Sequence, residues 1–268
     1  MTARPRTLVL SGYGINCEEE TASAFARAGA DPRIVHVNDL IDRVDRLDPY
    51  QILAFPGGFA YGDDTGSGKA LANRIRNNLG EEVLAFAAAD KLVIGICNGF
   101  QVMACLGLLP GIARDYRSIR IALRHNDTVR YECRWVDLRV APSPCVFTRG
   151  MDSLHVPVAH GEGKFHAGPD VMDALRRGRQ IVLQYARSDG TLAGGAFPCN
   201  PNGSLEDVAG ICDETGRIFG LMPHPERHVD FTHREDWPYR KELLRRQGIP
   251  LPEEGEGMRI FHNAVTYF

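Results

Sequence analysis

Five apolar residues in succession, Leu92-Val-Ile-Gly-Ile96, show no polar alternation. A strand of that kind needs cover on both faces, which points to a parallel sheet held between helices. The preceding segments have the matching rhythm. Leu8-Val-Leu10, Arg33-Ile-Val-His-Val37 and Ile52-Leu-Ala-Phe55 read as strands. Between them, Cys17 to Ala28 and Lys69 to Ala89 read as helices, the first with Ala22, Phe25 and Ala26 as its apolar positions. Strands alternating with helices at this spacing predict an open, mostly parallel α/β sheet with helices on both faces.

The second half changes character. Arg117 to Val140 contains alternating stretches such as Tyr131-Glu-Cys-Arg-Trp-Val136, which suit antiparallel strands exposed on one side. Gln180 to Tyr185, Val208 to Cys212 and Arg217 to Met222 are further strands. No repeat, low-complexity segment or linker interrupts the 268 residues, so residues 1–268 are expected to form a single domain. In the final segment, Ile260, Phe261, Ala264, Val265 and Phe268 fall on one helical face, which predicts a terminal helix docked on that domain.

The net charge of −3 offers no basic field for nucleic acid or membrane lipid. No segment approaches the roughly eighteen apolar residues of a membrane span, and Thr7-Leu-Val-Leu10 is too short for a signal-peptide core. A cytoplasmic protein is expected. Seven scattered cysteines without a C-x-x-C pair fit a reducing compartment and give no reason to expect a metal.

One of these cysteines stands apart. In Gly95-Ile-Cys-Asn-Gly-Phe-Gln101 it lies where the apolar strand meets a helix, with glycines two residues before and after. That is the pattern of a nucleophile elbow, a turn so tight that side chains at the flanking positions would strike backbone. Such an elbow exposes Cys97 at the carboxyl end of the sheet, where open α/β folds place their sites. A helix starting at Asn98 would also aim free N–H groups at the sulfur and favour negative charge there.

A base is available in Leu221-Met-Pro-His-Pro-Glu-Arg227. Pro223 and Pro225 predict an extended segment in which His224 and Glu226 face the same way. Glu226 would fix the imidazole tautomer, leaving the other nitrogen to move the thiol proton. His160 is the main rival among the other histidines. After the strand ending at Phe55 comes Pro56-Gly-Gly-Phe59, where the Gly58 amide, with that of Asn98, could hold an oxyanion. Gly66-Ser-Gly-Lys69 superficially suggests a phosphate loop, but Asp63 stands five residues before Gly68 and Ala70 replaces Ser/Thr.

Taken together, these motifs resemble class I, or triad, glutamine amidotransferases. More narrowly, Phe55-Pro-Gly-Gly-Phe59, Tyr61-Gly-Asp-Asp64, the cysteine elbow, Pro157-Val-Ala-His-Gly-Glu-Gly163, Asn200-Pro-Asn-Gly-Ser204 and Met222-Pro-His-Pro-Glu-Arg227 resemble the glutaminase subunits of phosphoribosylformylglycinamidine synthases. The resemblance spans about residues 6 to 231 and implies a flavodoxin-like fold. It implies Cys97 as nucleophile, His224 as base and acid, Glu226 as orienter, and Gly58 and Asn98 as oxyanion donors. Gln101, His160 and Gly161 would line the glutamine pocket.

The resemblance further implies that ammonia passes to a separate synthetase subunit of that enzyme, which binds ATP and Mg. A small bridging subunit would sometimes join them, and this chain would need no cofactor of its own. Residues 232–268 form a C-terminal extension relative to shorter members. Two other readings remain: a stand-alone γ-glutamyl hydrolase or cysteine peptidase, and a redox-sensing relative without turnover.

Overall fold

The strands expected in the first hundred residues are present and parallel. The structure, a computed structural model, describes residues 4–268. In chain order the first half contains β1 (Arg6–Ser11), α1 (Glu18–Arg27), β2 (Asp31–His36), α2 (Val37–Ile41), β3 (Ile52–Phe55), α3 (Lys69–Ala88), β4 (Leu92–Ile96) and α4 (Asn98–Leu106). The second half adds β5 (Ile121–His125), β6 (Glu132–Val140), β7 (Ser153–His160), β8 (Glu162–Ala167), α5 (Pro169–Arg177), β9 (Ile181–Ala186), β10 (Val208–Cys212), β11 (Ile218–Leu221), α6 (Trp237–Gln247) and α7 (Met258–Thr266).

The main sheet has nine strands in the order β2-β1-β3-β4-β11-β10-β9-β6-β7. From β2 to β11 the neighbours run parallel, and from β11 to β7 they alternate. Every residue of β3, β4 and β11 is buried, the reason their sequences lack alternation. The chain leaves β1 toward one edge and β3 toward the other. Right-handed crossovers therefore put α1 on one face and α3 on the opposite one; α7 packs with α1, and α4 with α3.

Several local readings need correction. α1 buries Thr21, Ala24 and Phe25, while Ala26 is exposed. Thr21 is tolerated inside because its hydroxyl donates to the Cys17 carbonyl at 2.7 Å. Val37 opens a short helix instead of ending β2. Strands β7 and β8 have no counterpart in the sequence reading. Pro157 interrupts β7, yet β7 is the edge strand of the sheet, where proline's missing N–H is tolerated. β8 leaves the main sheet and pairs with β5.

In the C-terminal region, α7 docks as expected, burying Met258, Ile260, Phe261 and Ala264. Phe261 meets Phe25 of α1 edge to face, with centroids 5.0 Å apart. Phe268 lies beyond the end of α7 and is exposed, contrary to the helical-face reading. No residue of α6 is buried.

Candidate active site

Cys97 joins β4 to α4 with φ 50° and ψ −108°, a backbone conformation costly for a non-glycine residue. The flanking glycines make this turn possible. A Cβ on Gly95 would lie 2.8 Å from the backbone of Gly99, and one on Gly99 would overlap the carbonyl of Phe55 in β3. The backbone N–H of Cys97 donates to the Leu221 carbonyl at 2.8 Å, which fixes the elbow against the end of β11. The chain leaving that strand end also carries the histidine, so the carboxyl ends of two adjacent interior strands position both groups.

His224 and Glu226 are both buried, and His224 Nδ1 lies 2.5 Å from Glu226 Oε1. Their backbone differs from the extended segment expected: Pro225–Arg227 form a 3-10 turn. Two anchors hold the ring all the same. The His224 N–H donates to the Pro157 carbonyl on β7 at 2.8 Å. The ring itself lies over Gly57, where an added Cβ would meet Cε1 at 2.8 Å.

Burial works against charge on His224, but Glu226, Cys97 and Cys17 outweigh it and hold the ring well above the usual histidine range. Nε2 makes no hydrogen bond within the described chain and is free to exchange a proton.

Cys97 opens into a cavity of about 220 Å³ together with Gly58, Gln101, His160, Gly161 and Tyr131. Gly58 has φ 152°, and a Cβ there would meet the Gly14 carbonyl at 2.7 Å. The chain therefore needs glycine where it turns its amide. Among the described residues, neither the Gly58 nor the Asn98 N–H has a hydrogen-bond acceptor. Gln101 is held rigidly: its Oε1 accepts from Asn98 Nδ2 at 2.9 Å, and its Nε2 donates to the Glu162 carbonyl. His160 is pushed down to about 3 by burial and by the nearby His224, so its ring is neutral. Gly161 turns β7 into β8, and its carbonyl accepts from Asn126 N–H at 2.9 Å. Of the eight residues singled out by sequence, Gly58, Cys97, Gln101, His160 and Gly161 line this cavity, whereas Asn98, His224 and Glu226 are not part of its lining.

A family model described as a CobB/CobQ-like glutamine amidotransferase domain matches residues 4–268. The phosphoribosylformylglycinamidine synthase subunit PurQ of Methanococcus maripaludis is 52% identical, covering 98% of this chain and 97% of that protein. The chain belongs to the PurQ family. The PurQ of Dehalococcoides mccartyi is 47% identical over 99% of this chain and 98% of its own length. A chain in the structure of PurLQS from Thermotoga maritima superposes with a TM-score of 0.72 at 30% identity, covering 98% of this chain and 99% of that one.

In this PurQ-family chain several side chains also brace the cavity, in roles that the sequence does not reveal. The Asn98 side chain accepts from the Ala60 N–H at 3.1 Å and donates to Asp63 at 3.3 Å, pinning the Gly58 loop to the start of α4. Asn126 bonds the His160 ring and carbonyl, and Asn202 and Ser204 bond the Gly163 carbonyl. The Asn200-Pro-Asn-Gly-Ser204 motif thus braces the β7–β8 turn from behind. Gly68 has its own role: a Cβ there would lie 2.7 Å from the Val102 nitrogen, so it permits the close approach of α3 and α4.

Proposed function

We propose that the chain is the glutaminase subunit of a phosphoribosylformylglycinamidine synthase and that its cavity makes ammonia from glutamine. The carrying observation is a strained cysteine elbow in a cavity beside a buried, carboxylate-paired imidazole. Cys97 thiolate attacks the carboxamide carbon. The negative charge that develops on the carboxamide oxygen is taken by the Gly58 and Asn98 N–H groups, each typically contributing about 2.7–4 kcal/mol. His224, protonated and oriented by Glu226, gives its proton to the departing ammonia. Water then attacks the glutamyl thioester, His224 takes its proton, and glutamate leaves with the sulfur restored.

Gln101, neutral His160 and Gly161 shape the pocket around the substrate. This chemistry requires no cofactor in the chain; ATP and Mg belong with the synthetase subunit that uses the ammonia on formylglycinamide ribonucleotide. A small bridging subunit would complete the assembly. The reading treats residues 1–268 as one catalytic domain with 232–268 as its extension, working in the cytoplasm. None of the described helices is long and apolar enough to cross a membrane.

The test is glutamate release by the chain alone and with the synthetase subunit, ATP and formylglycinamide ribonucleotide. Release that rises with the synthetase supports the reading. Equal release with and without it, on substrates larger than glutamine, points to the stand-alone hydrolase.

A further inference from the structure

Behind the triad, on the Nδ1 side of the histidine ring, His224 and Glu226 meet a cysteine that the proposed reaction does not use. Cys17 is buried at the foot of α1, and its sulfur lies against the same Gly57 surface as the His224 ring. The sulfur of Cys17, a ring nitrogen of His224 and a carboxylate oxygen of Glu226 all fall within 4.8 Å of one another. One Glu226 oxygen, Oε2, is buried without a hydrogen-bond partner in the described chain. Glu226 also lines a cavity of about 740 Å³ that is separate from the one holding Cys97; Glu18, Glu19 and Glu20 border it, together with Asp230, which is paired with Arg27 at 2.9 Å.

We propose that Cys17, His224 and Glu226 form an inhibitory site for a borderline-soft divalent cation of the zinc type. One sulfur, one imidazole and one carboxylate are the donors such ions select, whereas a thiolate excludes magnesium and calcium. The mainly acidic cavity is the entry path, drawing cations toward Glu226, whose buried Oε2 has no partner among the described residues. Binding displaces the proton of the Cys17 thiol and that of Nδ1. The ring then keeps its remaining proton on Nε2 and has no lone pair there to accept another. Arg227, whose Nη2 lies 3.1 Å from the Cys17 sulfur, has to swing away as the metal enters.

Cation binding is independent of the glutaminase reading; only the inhibition rests on it. The test uses the full chain with Co2+ as a spectroscopic probe and Zn2+ as the inhibitor. Cys97→Ala should bind one Co2+ and show the near-ultraviolet thiolate-to-cobalt band, and Zn2+ should bleach it. Cys17→Ser and Cys17→Ala should lack that band. In glutaminase assays, half-inhibition of either Cys17 variant should need more than about tenfold more Zn2+, by analogy with the cost of losing even an outer-shell partner. Absence of the band from Cys97→Ala, or its persistence in folded Cys17→Ser, overturns the site. Unchanged zinc sensitivity in both Cys17 variants overturns the inhibition. A wild-type chain that gives the band but releases no glutamate even when assembled with the synthetase subunit, ATP and formylglycinamide ribonucleotide would instead count against the glutaminase reading.

Discussion

Gly99 has no room for a methyl group, because the carbonyl of Phe55 occupies that space. Gly99→Ala should therefore push α4 away from β3, costing about 1–3 kcal/mol of stability and most of the turnover. Thermal unfolding together with glutamate release measures both. In the proposed reaction Glu226 serves the chemistry and not the pocket, since its bonded oxygen faces His224 Nδ1. Glu226→Gln should slow thioester formation and leave glutamine binding nearly intact. Rapid-quench measurement of the acyl-enzyme would show this, and unchanged acylation would remove Glu226 from the triad. At this scale the sequence was highly legible, because an elbow demands glycines and a paired histidine demands a carboxylate. The side-chain roles of Asn98, Asn126 and Asn202 were hidden: a buried asparagine that bonds backbone looks the same in sequence as one in a surface turn.

Among the elements, the buried parallel strands were easiest to read and the edge strand β7 the hardest. Pro157 breaks the alternation of β7, and only its place at the sheet edge explains why it remains a strand. This edge also receives Glu235 and Glu256 of the C-terminal segment. His155 on β7 lies 2.6 Å from Asp137 on β6 and 3.1 Å from Glu235, and its N–H donates to Glu256 at 2.8 Å. The His155 bond holds Asp137 below the usual carboxylate range. For His155, burial opposes charge, but Asp137 and Glu235 raise it above the usual histidine value.

The depressed carboxylate adds stability that is lost as pH falls through its folded value; the raised histidine adds stability that is lost as pH rises through its own. Asp137→Asn should thus lower the Tm most between pH 3.8 and 6.5, the ordinary values of the two groups. The gap from wild type should narrow on either side, which a Tm series across pH would check. A gap independent of pH would mean that the pair contributes packing alone.

Over the whole molecule, the sheet does two jobs with one set of strands. Its parallel half brings the ends of β3, β4 and β11 together, and these carry the Gly58 loop, Cys97 and His224. Its antiparallel half extends to β7, whose last residue is His160 and whose Pro157 carbonyl fixes the His224 segment. The strand alternation made the first half foreseeable. The way residues 153–167 fold back to form the far wall of the cavity was not, since long-range pairing leaves little local signal. The contact between Cys17 and the triad was invisible for the same reason.

The most direct measurement is product formation by Cys97→Ala assembled with the synthetase subunit, ATP and formylglycinamide ribonucleotide, supplied with either glutamine or an ammonium salt. The expected result is no synthesis from glutamine and near wild-type synthesis from ammonium. Retained synthesis from glutamine, or loss of synthesis from both sources in a correctly assembled complex, would contradict the role given to Cys97.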